Sequence, residues 1–301
     1  MLPFWISIAL LSLVQGALVA VPGRTSHAGL AGLARLRGRR WAAIPPLSVI
    51  VFVFVVRGAE RASAQGLTYL ALVAVPVLAA LALGWLTWDV RPPRPARALL
   101  VLPLFGLAWV DRGGLAGEGA ALVLSALSCV ALGVLLAAVT PPRWLAAGIV
   151  AMAVADTALV VSDLLQRPND TLNAAHPAAG LPRLQSAVLG SAVMGYGDLF
   201  LAGALGGLLA VALGRAPQLR AARLTAVLAL GFDLLFFLVS ELPATVPVAL
   251  ALMLVSIGVR RRSGPSRWRR APAAHPPAAA RPRAGRAPTD RRSEESPIGQ
   301  R

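Results

Sequence analysis

The chain has 301 residues, 57% of them apolar and only 14% charged, with a mean hydropathy of +0.69. A soluble globular domain is about 45–50% apolar, so the composition excludes an ordinary soluble enzyme and describes an all-α, polytopic membrane protein. The net charge of +16 comes entirely from arginine in short loops and a C-terminal tail, a distribution that sets membrane orientation and argues against a nucleic-acid partner.

In chain order, nine apolar segments are predicted as transmembrane helices: 2–21, 42–57, 66–88, 97–110, 118–140, 143–162, 184–213, 221–240 and 243–259. Most reach the roughly 17–25 residues that cross about 30 Å of hydrocarbon, and the strand-period alternation of an outer-membrane barrel is absent. No positive charge precedes segment 2–21, while Arg24, Arg35, Arg37, Arg39 and Arg40 follow it. It therefore reads as a first transmembrane helix with its N-terminus outside, not as a cleavable signal. Pro45 and Pro46 fall at the start of the second segment, where a helix tolerates proline, and the short fourth segment contains Pro103.

The arginines set the topology. Loops after the odd-numbered segments carry Arg91, Arg94 and Arg97, then Arg143, then Arg215, Arg220 and Arg223, and the tail begins Arg260-Arg261-Arg262. The alternate loops hold more acid: Glu60 beside Arg57 and Arg61, Asp111 and Glu118 beside Arg112, Asp163 and Asp170 beside Arg167 and Arg183, and Glu241. The positive-inside rule then puts the N-terminus outside and the C-terminus in the cytoplasm of a multi-pass plasma-membrane protein. The expected organisation is a five-helix scaffold over 1–142, four catalytic helices over 143–259, and a disordered cytoplasmic tail over 260–301. Rich in Arg, Pro and Ala, that tail buries too little surface to fold and suits anionic lipid headgroups.

Cys129 is the lone cysteine, so no intrachain disulfide forms. No Cys/His cluster has zinc-ligand spacing, and His176 reads as a plain loop histidine; neither metal nor cofactor is expected. The chemistry lies elsewhere. Asp156 sits inside the sixth segment, and Asp198 ends Gly195-Tyr196-Gly197-Asp198 in the seventh. A carboxylate at the bilayer centre costs about 2.5–3.5 kcal/mol on insertion scales, so intramembrane aspartates mark function. Counted along two consecutive antiparallel helices, both fall near mid-membrane and can face each other. Gly190, Gly195 and Gly197 are expected to leave one face of the seventh helix bare for close approach. Two close carboxyl groups share a proton, one serving as base and the other as acid. That pairing activates water against a peptide carbonyl without metal or nucleophilic side chain.

These residues, with Pro243-Ala244-Thr245 opening the ninth segment, resemble the presenilin and signal-peptide-peptidase family of intramembrane aspartyl proteases, in a bacterial form. The resemblance implies nine helices, catalytic aspartates at Asp156 and Asp198, and substrate-positioning roles for Gly195, Tyr196, Gly197, Pro243, Ala244 and Thr245. It implies transmembrane proteins or signal peptides as substrates, within a lipid bilayer. The orientation is similar to the signal-peptide-peptidase branch. Ala155 stands where the family usually has Tyr before the first aspartate, and Thr245 where it has Leu, with Pro247 following.

Asp233, in the eighth segment, is a possible auxiliary group and opens a second reading: a proton- or cation-coupled transporter using Asp156, Asp198 and Asp233. The sequence Gly-Tyr-Gly-Asp-Leu-Phe-Leu-Ala also resembles the prepilin-peptidase motif, although Leu199 and Phe200 stand where Lys usually follows. A purely structural membrane protein is the third alternative.

Overall fold

Only a helix satisfies all its own backbone polar groups inside hydrocarbon, and each of the nine apolar segments contains one. The computed structural model describes residues 2–263 except 24–29, 31, 34, 59, 87–93, 176, 178–179 and 240–241. Of the expected disordered tail over 260–301, residues 260–263 instead continue the last helix, and 264–301, together with Arg24, Arg91, His176 and Glu241, lie outside the described residues. The helices are α1 (Phe4–Ala20), α2 (Ile44–Gly58), α3 (Glu60–Leu81), α4 (Val101–Val110), α5 (Leu115–Val139), α6 (Pro142–Val161), α7 (Gln166–Ala174), α8 (Tyr196–Ala212), α9 (Arg215–Asp233) and α10 (Thr245–Ser263). Four stretches are long and apolar enough to cross a membrane, namely Arg39–Gly58, Ala62–Leu86, Leu115–Val139 and Pro142–Val161. Shorter apolar helices cover Phe4–Ala20, Pro95–Val110, Tyr196–Ala212 and Thr245–Val259. The molecule is thus a mostly helical membrane protein.

The seventh segment departs from expectation. Its first part is an antiparallel hairpin, β1 (Ser186–Leu189) and β2 (Ala192–Gly195), paired from Ser186↔Gly195 to Leu189↔Ala192. Gly190, at φ 60°, is the positive-φ residue of the two-residue turn, as a II′ hairpin turn requires of its first central position. The Gly190 N–H donates to Glu118 Oε2 on α5 (2.6 Å), and the Ser191 hydroxyl donates to the Leu2 carbonyl (3.1 Å). The hairpin is therefore pinned between the starts of α1 and α5. The expected long external loop between the sixth and seventh segments also carries α7.

Helix α8 is the centre of the molecule. Every residue from Leu199 to Ala210 is buried, the mark of a helix apolar on all sides and enclosed by protein. Gly197 gives room to Met152 of α6 and Gly190 to Leu2, while the closest approaches to neighbouring helix backbones are made by Gly203, Gly206 and Gly207. A Cβ on Gly207 would sit 2.7 Å from the Gly133 carbonyl oxygen of α5, and one on Gly206 would sit 2.7 Å from the Val19 carbonyl of α1. Small residues at such crossings let backbones pack at close range in lipid. Thus α1 and α5, from the part read as scaffold, both seat directly on α8.

Helices α1 and α9 run antiparallel. At one end, Gln218 Nε2 donates to the Val19 and Pro22 carbonyls (2.9 and 2.7 Å), and Arg215 donates to the Ala20 carbonyl. These donors satisfy carbonyls that the end of α1 leaves without intrahelical partners. At the other end Phe4 meets Phe236 edge-on and Trp5 stacks on Phe237, with centroids 5.5 and 4.4 Å apart. The start of α1 and the end of α9 therefore lie on one side, with the hairpin turn.

Candidate active site

Asp198 is the third residue of α8, not a mid-helix residue. Gly195 caps that helix with extended φ and ψ of −63° and 145°, and its N–H donates to the Asp198 carboxylate. This is one half of a capping box: the carboxylate three residues into a helix reaches back to the capping N–H. The spacing of Gly195-Tyr196-Gly197-Asp198 has a direct cause here. A Cβ on Gly195 would sit 3.0 Å from Asp198 Oδ2, and one on Gly197 would sit 3.3 Å from Met152 Cε on α6. Glycine at both positions leaves room for the carboxylate and for the neighbouring helix.

Asp156 lies five residues before the end of α6 and is 7% exposed. The Thr245 hydroxyl donates to its Oδ2 at 2.6 Å, and the Thr245 backbone N–H donates to the same carboxyl group. Thr245 is the first residue of α10, so its N–H has no intrahelical acceptor; Asp156 supplies one. Asp156 and Asp198 lie within Coulombic reach of each other. The ends of three helices thus bring Asp156, Asp198 and Thr245 together, although Thr245 and Asp156 are 89 residues apart in the chain.

The remaining sequence-singled residues surround this pair. Pro243 and Ala244 precede α10 as non-helical chain rather than forming its first turn. Pro243 is buried, and its carbonyl accepts from Val246 N–H at 3.1 Å. Ser128 on α5 uses its one hydroxyl proton on the Ser125 carbonyl, so the Tyr196 hydroxyl, 2.7 Å away, donates to Ser128 Oγ. The Ser125 hydroxyl in turn donates to the Leu184 carbonyl at 3.3 Å, just before β1. Tyr196 therefore anchors the start of α8 to α5. Asp233 stands apart from the pair: at the end of α9, it accepts from the Ser12 hydroxyl of α1 at 2.7 Å.

Sequence reasoning passed over three partners: Gln15, Ser12 and Ser128. Each is a polar group inside an apolar run, and that is the signal that could have found them. Gln15 is fully buried, and its Nε2 donates to the Ala244 carbonyl at 2.8 Å and lies 3.5 Å from the Asp198 carbonyl.

No protein-family model, no curated protein and no solved structure matches this chain. Function is therefore read from the residues themselves. Among the described residues no group of three or more His, Cys, Asp or Glu side chains is placed to hold a metal ion. A cavity of about 290 Å³ lies beside the outer part of the hairpin, lined by Arg112, Glu118, Arg183 and Val188 among others. Neither aspartate lines it. Asp198 is only partly covered, and Gly195 and Val193 of β2 are exposed.

Proposed function

We propose that the chain is an intramembrane aspartyl endopeptidase with nine transmembrane helices, its N-terminus outside and its C-terminus in the cytoplasm. The observation that carries this reading is the meeting of Asp156 and Asp198 at the ends of α6 and α8, with Thr245 bonded to Asp156. The orientation draws support from the arginine distribution, which favours the cytoplasmic side.

In this mechanism water sits between the two carboxyl groups. Asp156, which accepts two hydrogen bonds from Thr245, serves as base and takes a proton as the water oxygen attacks the scissile carbonyl carbon. The other carboxyl group, Asp198, gives its proton to the amide nitrogen as the C–N bond breaks. The products are a new carboxylate and a new amine. No covalent enzyme intermediate forms.

A helical substrate hides its peptide bonds, because each backbone group is already bonded within the helix. It must unwind before attack. Val193, on the outward edge of β2, offers backbone groups to an added strand, and Asp198 follows five residues further on. Pro243 and Ala244, held outside α10, would border the unwound segment on its other side.

A proton relay through all three aspartates would require Asp233 in the same chain of groups. Its hydrogen-bond partner is Ser12 instead. The test is a panel of fluorogenic transmembrane peptides offered to the purified protein in lipid. Cleavage is expected for wild type and Asp233→Asn, and none for Asp156→Asn or Asp198→Asn. Solute or proton flux that needs all three aspartates, without cleavage, would replace the protease with a transporter.

A further inference from the structure

We infer that Gln15 of α1 is a positioning residue that clamps the two catalytic strips together. The inference rests on the protease reading and adds a part of the machinery outside the two aspartate helices. Gln15 is fully buried at the heart of an apolar helix. A buried amide is costly unless bonded, and this one bonds to two separate elements of the site. Its Nε2 donates to the carbonyl of Ala244, the residue before Thr245, and lies 3.5 Å from the carbonyl of Asp198 itself. These partners are 229 and 183 residues away in sequence. One side chain thus spans the strip that delivers Thr245 to Asp156 and the first turn that carries Asp198.

The chemistry of the clamp requires a donor. Two carbonyl oxygens face the amide nitrogen, and that fixes which way round the amide lies. Gln15 Oε1 is buried without a protein partner, so the side chain is held by its nitrogen alone. A leucine keeps the packing and loses the donor. A glutamate keeps the shape, donates one hydrogen bond when protonated, and sets an anion against two carbonyl oxygens when ionised. Neighbouring residues brace the backbone of α1 on both sides of Gln15. A Cβ on Gly16 would sit 3.0 Å from the Ala222 carbonyl of α9, and Ser12, one turn earlier, holds Asp233 at 2.7 Å.

The experiment uses the full chain in lipid, with two readouts. Hydrogen–deuterium exchange followed by mass spectrometry compares wild type with Gln15→Leu. Exchange should rise about tenfold in peptides covering 195–200 and 243–249, with α5 peptides over 122–134 unchanged as the control for folding. Cleavage kinetics follow. Gln15→Leu should lower kcat by about 10- to 100-fold with little change in KM, as misplaced catalytic groups do. Gln15→Glu should cleave at acidic pH and lose activity as pH rises, in a limb absent from the wild-type profile. Unchanged exchange in both segments, or a Gln15→Glu profile that follows wild type, overturns the clamp. Wild type that cleaves nothing sinks the protease reading alone, because the exchange result still decides whether Gln15 ties the two strips together.

Discussion

Replacing Thr245 by valine removes one hydroxyl and leaves the shape of the side chain almost unchanged. In the structure that hydroxyl donates to Asp156 Oδ2 at 2.6 Å, in a buried site. A hydrogen bond to a charged group contributes about 1.5–3 kcal/mol. The Thr245 backbone N–H still reaches Asp156, so the loss belongs in the lower part of that range, about 1.5–2 kcal/mol. If the bond serves the transition state, kcat falls by roughly 10- to 30-fold. Thr245→Ser keeps the hydroxyl and should retain most of the activity. The assay is cleavage of one fluorogenic transmembrane peptide by the wild type and the two variants, at saturating and subsaturating substrate. Wild-type kcat in Thr245→Val would refute a role for the hydroxyl.

Three further substitutions test the frame around the pair. Gly203→Val would drive a side chain into the Cys129 backbone, whose carbonyl carbon lies 2.8 Å from an added Cβ. Overpacking of this kind costs about 1–3 kcal/mol, and a denaturant titration followed by circular dichroism should show it. Gly190→Ala places a side chain at φ 60° and 2.9 Å from Leu2 Cβ. The left-handed backbone alone costs about 1–2 kcal/mol, and protease nicking of the hairpin should accelerate while the helical signal holds. Tyr196→Phe removes the hydroxyl bonded to Ser128 at 2.7 Å, worth about 1 kcal/mol, and should slow cleavage by about fivefold if the start of α8 must be held in place.

The helices were legible because their signal is local: an apolar run of sufficient length needs no partner to be recognised. The hairpin was not, because Ser186–Gly195 is apolar and runs directly into α8. Hydropathy merges the two elements. The Gly190-Ser191 pair was the available turn signal, and reading it would have moved Asp198 from mid-helix to the first turn. The two aspartates were legible as costly residues in apolar surroundings. Their surroundings were legible only in part: the motif named Thr245, but neither its bond to Asp156 nor the reach of Gln15 from the first segment was readable. Contacts across 89 and 229 residues follow from tertiary packing, and a single sequence carries no trace of them. The close helix crossing was anticipated in kind and misplaced in position, since any of the glycines of this segment satisfies the rule that small residues permit approach.

The most direct measurement takes purified chain in lipid with one transmembrane peptide in H₂¹⁸O, and reads the products by mass spectrometry for wild type, Asp156→Asn and Asp198→Asn. The two-carboxylate mechanism predicts a wild-type cut that places ¹⁸O in the new carboxyl terminus, and no cut from either variant. Cleavage that survives either substitution would contradict it.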